Sequence, residues 1–178
     1  MNVALGSAAL LFGLGASVLG VGTLAVGLVK GRPRLLVLGR SYALLAFIAA
    51  LAAFVVMERA LITRDFTVAY VAENGSSKTP PLFNFATLWA ALEGSILLWA
   101  LILTGYLMAM MRKFRHRQTD PLVGWANLTM LVVCAFFFGL MVTVARPFVP
   151  FDPTPGFDGP GPNPLLQNHI LMAFHPPM

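Results

Sequence analysis

The residues of this 178-residue chain best suited to chemistry lie at its carboxyl end, where His175 stands directly before Pro176-Pro177 and His169 precedes it by six positions. A neutral imidazole whose backbone is held in place can offer a ring nitrogen to a metal, a haem iron among them. Pro176 restrains His175 toward an extended conformation. Asn163 as N-cap and Pro164 in the first turn predict a short helix over 165–174 at a membrane surface, ending where His175 meets the bilayer. On a helix, six residues turn the rings of His169 and His175 about 240° apart, so the two do not easily grip one metal between them. Met172 and Met178 are weaker candidate ligands, because methionine also fills apolar interfaces. A solitary interfacial imidazole is more often a surface or hydrogen-bonded residue than a ligand, and the motif alone leaves both roles open.

Glu93 is the second candidate. It sits in Trp89-Ala90-Ala91-Leu92-Glu93-Gly94-Ser95-Ile96-Leu97-Leu98-Trp99, the one acid within a long apolar run. An ionisable group in such a place is costly and is therefore functional or paired. Helical rise counted from Phe85 puts it about 12 Å inside one end of the run. Proton transfer, or a buried pair with Arg59, Arg64 or Arg146, would each account for it.

Other reactive types point elsewhere. Cys134 is the single cysteine and the chain has no CxxC or CxxCH, so it forms no internal disulfide and holds no haem through its own thiols. His116 lies in Arg112-Lys113-Phe114-Arg115-His116-Arg117, where a solvated or headgroup-facing role is expected.

The elements that must position these residues follow from composition. With 58% apolar and 11% charged residues, neither a water-soluble globule nor a disordered chain fits. The net charge of +5 does not mark a nucleic-acid binder, because the bases cluster beside apolar runs, as membrane topology requires. Four uncharged or nearly uncharged runs are long enough to cross a bilayer. The expected fold is an all-α polytopic membrane protein with four transmembrane helices, over about residues 3–29, 35–57, 85–111 and 122–145, and ordered extracytoplasmic loops. The first run is too long for a signal-peptide core and lacks a preceding base, so it reads as a retained helix. Its glycines at 6, 13, 20 and 27, with Gly15 and Gly22 repeating the spacing, form a stripe expected to face another helix.

Lys30, Arg32, Arg34 and Arg40 mark one cytoplasmic turn, and Arg112, Lys113, Arg115 and Arg117 the other. The loop over 58–84 and the Pro-rich segment over 146–178 are then outside, as are both termini. Within the outer loop, Phe66, Val68 and Tyr70 alternate as in a strand or a segment packed on one side. Asn74-Gly75-Ser76-Ser77 predicts a turn, and Pro80-Pro81 is expected to prevent helix until about Phe85.

The same residues carry a family resemblance. Asp65-Phe66-Thr67-Val68 through Ala72, the Trp89 to Trp99 segment with Glu93-Gly94-Ser95, Asn163-Pro164-Leu165-Leu166-Gln167 and His175-Pro176-Pro177, in this order with four spans, resemble the amino-terminal part of the CcmF and NrfE family of cytochrome c maturation proteins. The resemblance implies a bacterial inner-membrane haem lyase subunit that receives haem on the outer face and helps attach it to apocytochrome c. It makes His175 an axial haem ligand, haem the cofactor, and a haem chaperone, apocytochrome c and other cytochrome c maturation membrane proteins the partners, within the lipid bilayer. Family members continue beyond the His-Pro-Pro element into further spans, so a truncated or split gene product with an incomplete haem site is expected. Two other functions compete with this one: a haem-transporting conduit, which the scarcity of polar residues in the spans disfavours, and a structural module assembled through the glycine stripe.

Overall fold

A computed structural model describes residues 1–163. The helix expected over 165–174, and His169, Met172, His175 and Met178, lie outside the described residues. Long helices dominate: α1 (Asn2–Val29), α2 (Pro33–Ile62), α5 (Leu92–Lys113) and α6 (Pro121–Thr143), with the short α3 (Ala69–Asn74) and α4 (Pro81–Ala86) and a 3-10 turn, Thr87–Trp89, between α2 and α5. All four long helices have the length and composition to cross a membrane.

Local chemistry sets the helix ends. The α1–α2 hairpin closes on Gly31, whose φ of 59° lets the Arg32 N–H reach back to the Gly27 carbonyl at 2.8 Å. Pro33 then opens α2 at a position where its missing N–H costs nothing. Asp120 caps α6 by accepting from the Leu122 N–H at 2.9 Å, again with a proline, Pro121, starting the helix.

Around the bundle the order is α1, α2, α5, α6, with α6 returning to α1 and α2 touching α6 across the diagonal. Small residues make this packing close. On α2, Ala43, Ala46, Ala50, Ala53 and Ala60 are fully buried and let neighbouring backbones approach. On α1 the heptad glycines have the same use: a Cβ at Gly13 would overlap the Phe138 ring of α6, and one at Gly6 the Phe148 ring. Gly15 and Gly22, expected on the same stripe, have nothing within 4 Å. Two positions on from a stripe residue is about 200° around the helix, so these glycines face away from the bundle. Gly13→Ala is therefore expected to cost about 1–3 kcal/mol, and Gly15→Ala to be neutral or to gain up to about 1 kcal/mol. Thermal unfolding of the two variants in detergent checks the contrast.

The third span is shorter than the apolar run. It begins at Leu92 rather than Phe85, because Ala91 is extended (φ −129°, ψ 170°) and the Ser95 hydroxyl donates to the Trp89 carbonyl at 3.0 Å, breaking the helix there. Likewise α2 runs on to Ile62, past the expected end at 57, and α6 stops at Thr143. Pro81 starts α4 instead of preventing helix, since a proline is at home in a first turn. The alternating Phe66, Val68 and Tyr70 form no strand; Val68 makes a single antiparallel bridge with Pro150, and Tyr70 already belongs to α3.

Asn2, the segment over 63–91 and the segment over 144–163 gather at one end of the bundle. Asn2 Nδ2 donates to Asp65 at 2.7 Å, and the Ala69 N–H to the Val149 carbonyl at 2.9 Å. The turns at Gly31 and Thr119 lie together at the other, basic end.

Candidate functional site

The capped end is built around Tyr70. Its hydroxyl lies 2.8 Å from both the Thr87 and the Leu88 carbonyl oxygens, so α3 holds the turn that precedes α5. A Cβ at Gly94 would overlap the Leu88 carbonyl oxygen and come 2.6 Å from the Tyr70 hydroxyl. Only glycine fits between the first turn of α5 and this carbonyl. Burial pushes the Tyr70 phenol well above its usual range; the Ala91 N–H lowers it, and the charges of Glu93 and Glu58 raise it further.

Beside Tyr70 opens a cavity of about 280 Å³ lined by Tyr70, Glu73, Glu93, Ala145, Arg146 and Val149, among others. Glu93 is half-buried in the first turn of α5. It lies at the end of the span, not about 12 Å within it, because the helix starts late. A carboxylate there meets the positive end of the helix dipole. None of the three arginines expected as its partner forms an ion pair with it. Arg59 donates to Asn2 Oδ1 at 2.8 Å, Arg64 Nε to the Ser76 carbonyl at 3.4 Å, and Arg146 lines the same cavity. The only ion pair among the described residues, Arg117 with Asp120, is at the basic end.

Arg64 and Arg146 are the two non-glycine residues with positive φ among those described, 53° and 41°. Each follows a helix that rises to the capped end, and each helix finishes with a wide backbone turn: Asp65 N–H to Ala60 O at 2.9 Å, Arg146 N–H to Met141 O at 3.1 Å. The left-handed residue reverses the chain so that the 144–163 segment folds back over α3.

Glu93 is not the buried acid of this protein. Glu58, four residues before the end of α2, is 7% exposed, and both its carboxylate oxygens lack a hydrogen-bond partner among the described residues. The sequence places Glu58 beside Arg59 at the border of the second apolar run, which reads as an interfacial pair. α4 and the 3-10 turn pack on α2, with Asn84 Nδ2 donating to the Leu61 carbonyl, three residues on from Glu58, at 2.8 Å. No periodicity within α2 signals the burial of Glu58.

The Pro-rich segment is strapped to the loop. Asp158 accepts from the Ser77 N–H at 2.7 Å and the Ser77 hydroxyl at 2.6 Å, and the Gly161 N–H reaches the Gly75 carbonyl at 3.1 Å. Phe157 packs on Phe66 and Phe151, with ring centroids 5.5 and 5.3 Å apart. The side-chain and then the backbone hydrogen bond from Ser77 hold the Asp158 carboxyl below the usual carboxylate range. At Asp65 burial acts upward, but bonds from Thr67, Asn2 and the Thr67 N–H outweigh it and the net shift is downward. A depressed carboxyl stabilises the fold above its unfolded value and loses that contribution as pH falls through the folded one. Protection of the Ser77 and Gly161 amides, taken relative to intrinsic exchange at each pH, is thus expected to fall on acidification below the usual carboxylate range, sooner than protection of amides in the core of α2.

Among the described residues no group of three or more His, Cys, Asp or Glu is placed to hold a metal ion. The one imidazole among them, that of His116, is at the basic end, where its Nε2 accepts from Arg115 Nε at 3.0 Å. The described residues therefore offer no imidazole to a haem iron at the capped end.

No family model matches the chain. Curated relatives do. It is 34% identical over 152 residues to the cytochrome c-type biogenesis protein CcmF of Escherichia coli (strain K12), covering 85% of this chain and 23% of that protein. It is 34% identical over 181 residues to CycK of Rhizobium meliloti (strain 1021), covering 100% of this chain and 26% of the relative. A solved structure of the cytochrome c haem lyase CcmF superposes with a TM-score of 0.80 at 36% identity, over 98% of this chain and 27% of the other. The chain belongs to the CcmF and NrfE family, as an amino-terminal part. The probable cytochrome c-type biogenesis protein NrfE of Escherichia coli (strain K12) is likewise 34% identical, over 132 residues. The chain spans about a quarter of the length of these family members. Family membership and the four apolar helices make it a multi-pass membrane protein.

Proposed function

We propose that this chain is the amino-terminal portion of a membrane haem lyase subunit in cytochrome c maturation, acting with the outer face of a bacterial inner membrane. The observation that carries this reading is the likeness of nearly the whole chain, at a TM-score of 0.80, to the solved cytochrome c haem lyase CcmF. The basic end, with Lys30, Arg32, Arg112, Lys113, Arg115 and Arg117, belongs in the cytoplasm, and the capped end with both termini outside. The domains then divide as a four-helix membrane region over 1–145, with an outer loop over 58–84, and an extracytoplasmic segment over 146–178.

In this reading the described residues act as a platform. Tyr70 and Gly94 fix the start of α5, and the strap from Asp158 to Ser77 holds the Pro-rich segment on the outer loop; His175 is the proposed axial ligand of haem iron. The group would supply the reactive porphyrin, and the thiols of apocytochrome c the nucleophiles. Arg146, whose guanidinium has no ion-pair or hydrogen-bond partner among the described residues, suits a carboxylate such as a propionate. Glu93, lining the same cavity, is the acid proposed to pair with a cation or to pass a proton. A haem chaperone, apocytochrome c and other maturation membrane proteins are the partners, with the bilayer as solvent.

The glycine stripe is occupied inside the bundle by Phe138, Phe148 and Leu131, which leaves little of it for assembly with another protein. Deleting the gene for this chain in its host is expected to abolish covalent haem staining of c-type cytochromes and to be rescued by the intact gene. Undiminished staining would end the proposal.

A further inference from the structure

A groove of about 390 Å³ lies between α1 and α2 on the face that turns away from the bundle, lined by Val18, Leu19, Gly22, Val26, Leu35 and Leu38, among others. Gly22 leaves it bare: a Cβ there would meet nothing within 4 Å. From Val18 to Val29, where α1 ends, the helical rise is about 16 Å, close to one leaflet of a hydrocarbon core about 30 Å thick. At the basic end the groove meets a second open space of about 440 Å³, lined by Gly31, Arg32, Pro33, Arg34 and Leu35, so that Leu35 borders both. The two arginines are not engaged by the protein. Neither guanidinium has a hydrogen-bond or ion-pair partner among the described residues. Of the seven acids in the chain only Asp120 belongs to the basic end, and it is paired with Arg117. Free cations at the mouth of an apolar groove one leaflet long match a ligand that is anionic at one end and hydrocarbon along the rest.

We propose that this groove binds one anionic phospholipid of the leaflet at the basic end, its phosphate held by Arg32 and Arg34 and one acyl chain laid along α1 over Gly22. Guanidinium groups meet a phosphate diester through charge-assisted hydrogen bonds, and basic pockets beside membrane helices suit such head groups. The apolar lining by itself selects nothing, since any lipid tail solvates it equally well, so the preference comes from charge. A zwitterionic head group would set its own cation beside two arginines that have no acid to offset them. The glycines of the packed face are covered from within the bundle, Gly20 by Leu131 and Tyr42 and Gly27 by Leu35 and Leu36, whereas Gly22 is left to a ligand from outside. The site involves no covalent step and is independent of the haem reading.

Photolabelling of the complete protein tests it, in bilayers of equal parts phosphatidylglycerol and phosphatidylcholine with a trace of either lipid carrying a diazirine midway along one acyl chain. The phosphatidylglycerol probe is expected to label residues 18–26 at least about 10-fold more than the phosphatidylcholine probe, each arginine near an anionic lipid being worth about 5-fold. Arg32→Gln with Arg34→Gln should bring the two probes to parity. Removing two charges elsewhere at the same end, by Arg112→Gln with Lys113→Gln, should leave the preference in place. Gly22→Leu, at a position with open space around it, should keep the fold and lower labelling by the phosphatidylglycerol probe several-fold. Equal labelling by both probes in the unmodified protein would reduce the occupant to ordinary boundary lipid, and absence of label from residues 18–26 would show the groove covered by another part of the complete protein. An equal loss of preference in the Arg112 and Lys113 variant would assign the effect to the field of the whole basic end. Any of these three results overturns the site, and the first two are read without any substitution.

Discussion

Replacing His175 by Ala in the complete protein is expected to lower cytochrome c maturation by at least about 10-fold, because losing a residue that merely orients a metal ligand costs that much and losing the ligand itself costs more. The expectation rests on the resemblance around His175-Pro176-Pro177. Asp158 on Ser77, Gly161 on Gly75 and the Phe66, Phe151 and Phe157 cluster order the Pro-rich segment as far as the described residues reach. Haem absorbance of the purified protein and haem staining of c-type cytochromes are the two readouts. Should both be unchanged in His175→Ala, ligation by this residue is excluded, while membership of the family is untouched. A loss of staining with unchanged absorbance would move His175 from ligand to docking contact.

Gly94→Ala is expected to be the most damaging single-methyl change in the described residues, costing about 3 kcal/mol or more. Its added carbon would overlap the Leu88 carbonyl oxygen, which is backbone and is itself fixed by the Tyr70 hydroxyl at 2.8 Å. Neither partner can yield without breaking a buried hydrogen bond. The control lies in the same helix. At Gly105 the nearest atom to an added Cβ, on Phe47, is 4.0 Å away, so Gly105→Ala should be neutral or gain up to about 1 kcal/mol of helix propensity. Thermal unfolding in detergent separates the two, and equal effects would disprove the close approach at Gly94.

Several features are legible in the sequence because they depend on local composition alone. Uncharged runs of about 20 residues have no stable home but a bilayer, so the four spans follow from counting. The packed glycines at 6, 13, 20 and 27 follow from period. The position of Glu93 does not. Apolar residues over 85–91 satisfy a helix as well as a turn, and what stops α5 from starting earlier is Tyr70 on α3 together with Ser95 bonding back to Trp89. Gly15 and Gly22 share the seven-residue spacing of the stripe without sharing its face, and only the neighbours of α1 show which glycines are covered.

The order of residues by itself determined that this chain is a four-span helical membrane protein of the CcmF and NrfE family, with bases at one end and aromatic and proline-rich segments at the other. Hydropathy and charge act on each segment independently of the rest, which is why they survive in one dimension. Tertiary structure alone decided which acid is enclosed. Glu93 emerged at a cavity, and Glu58, beside Arg59 in sequence, is enclosed near the end of α2, on which α4 and the 3-10 turn pack. Burial is a property of what comes to lie against a residue, and those neighbours are some 25 positions away along the chain.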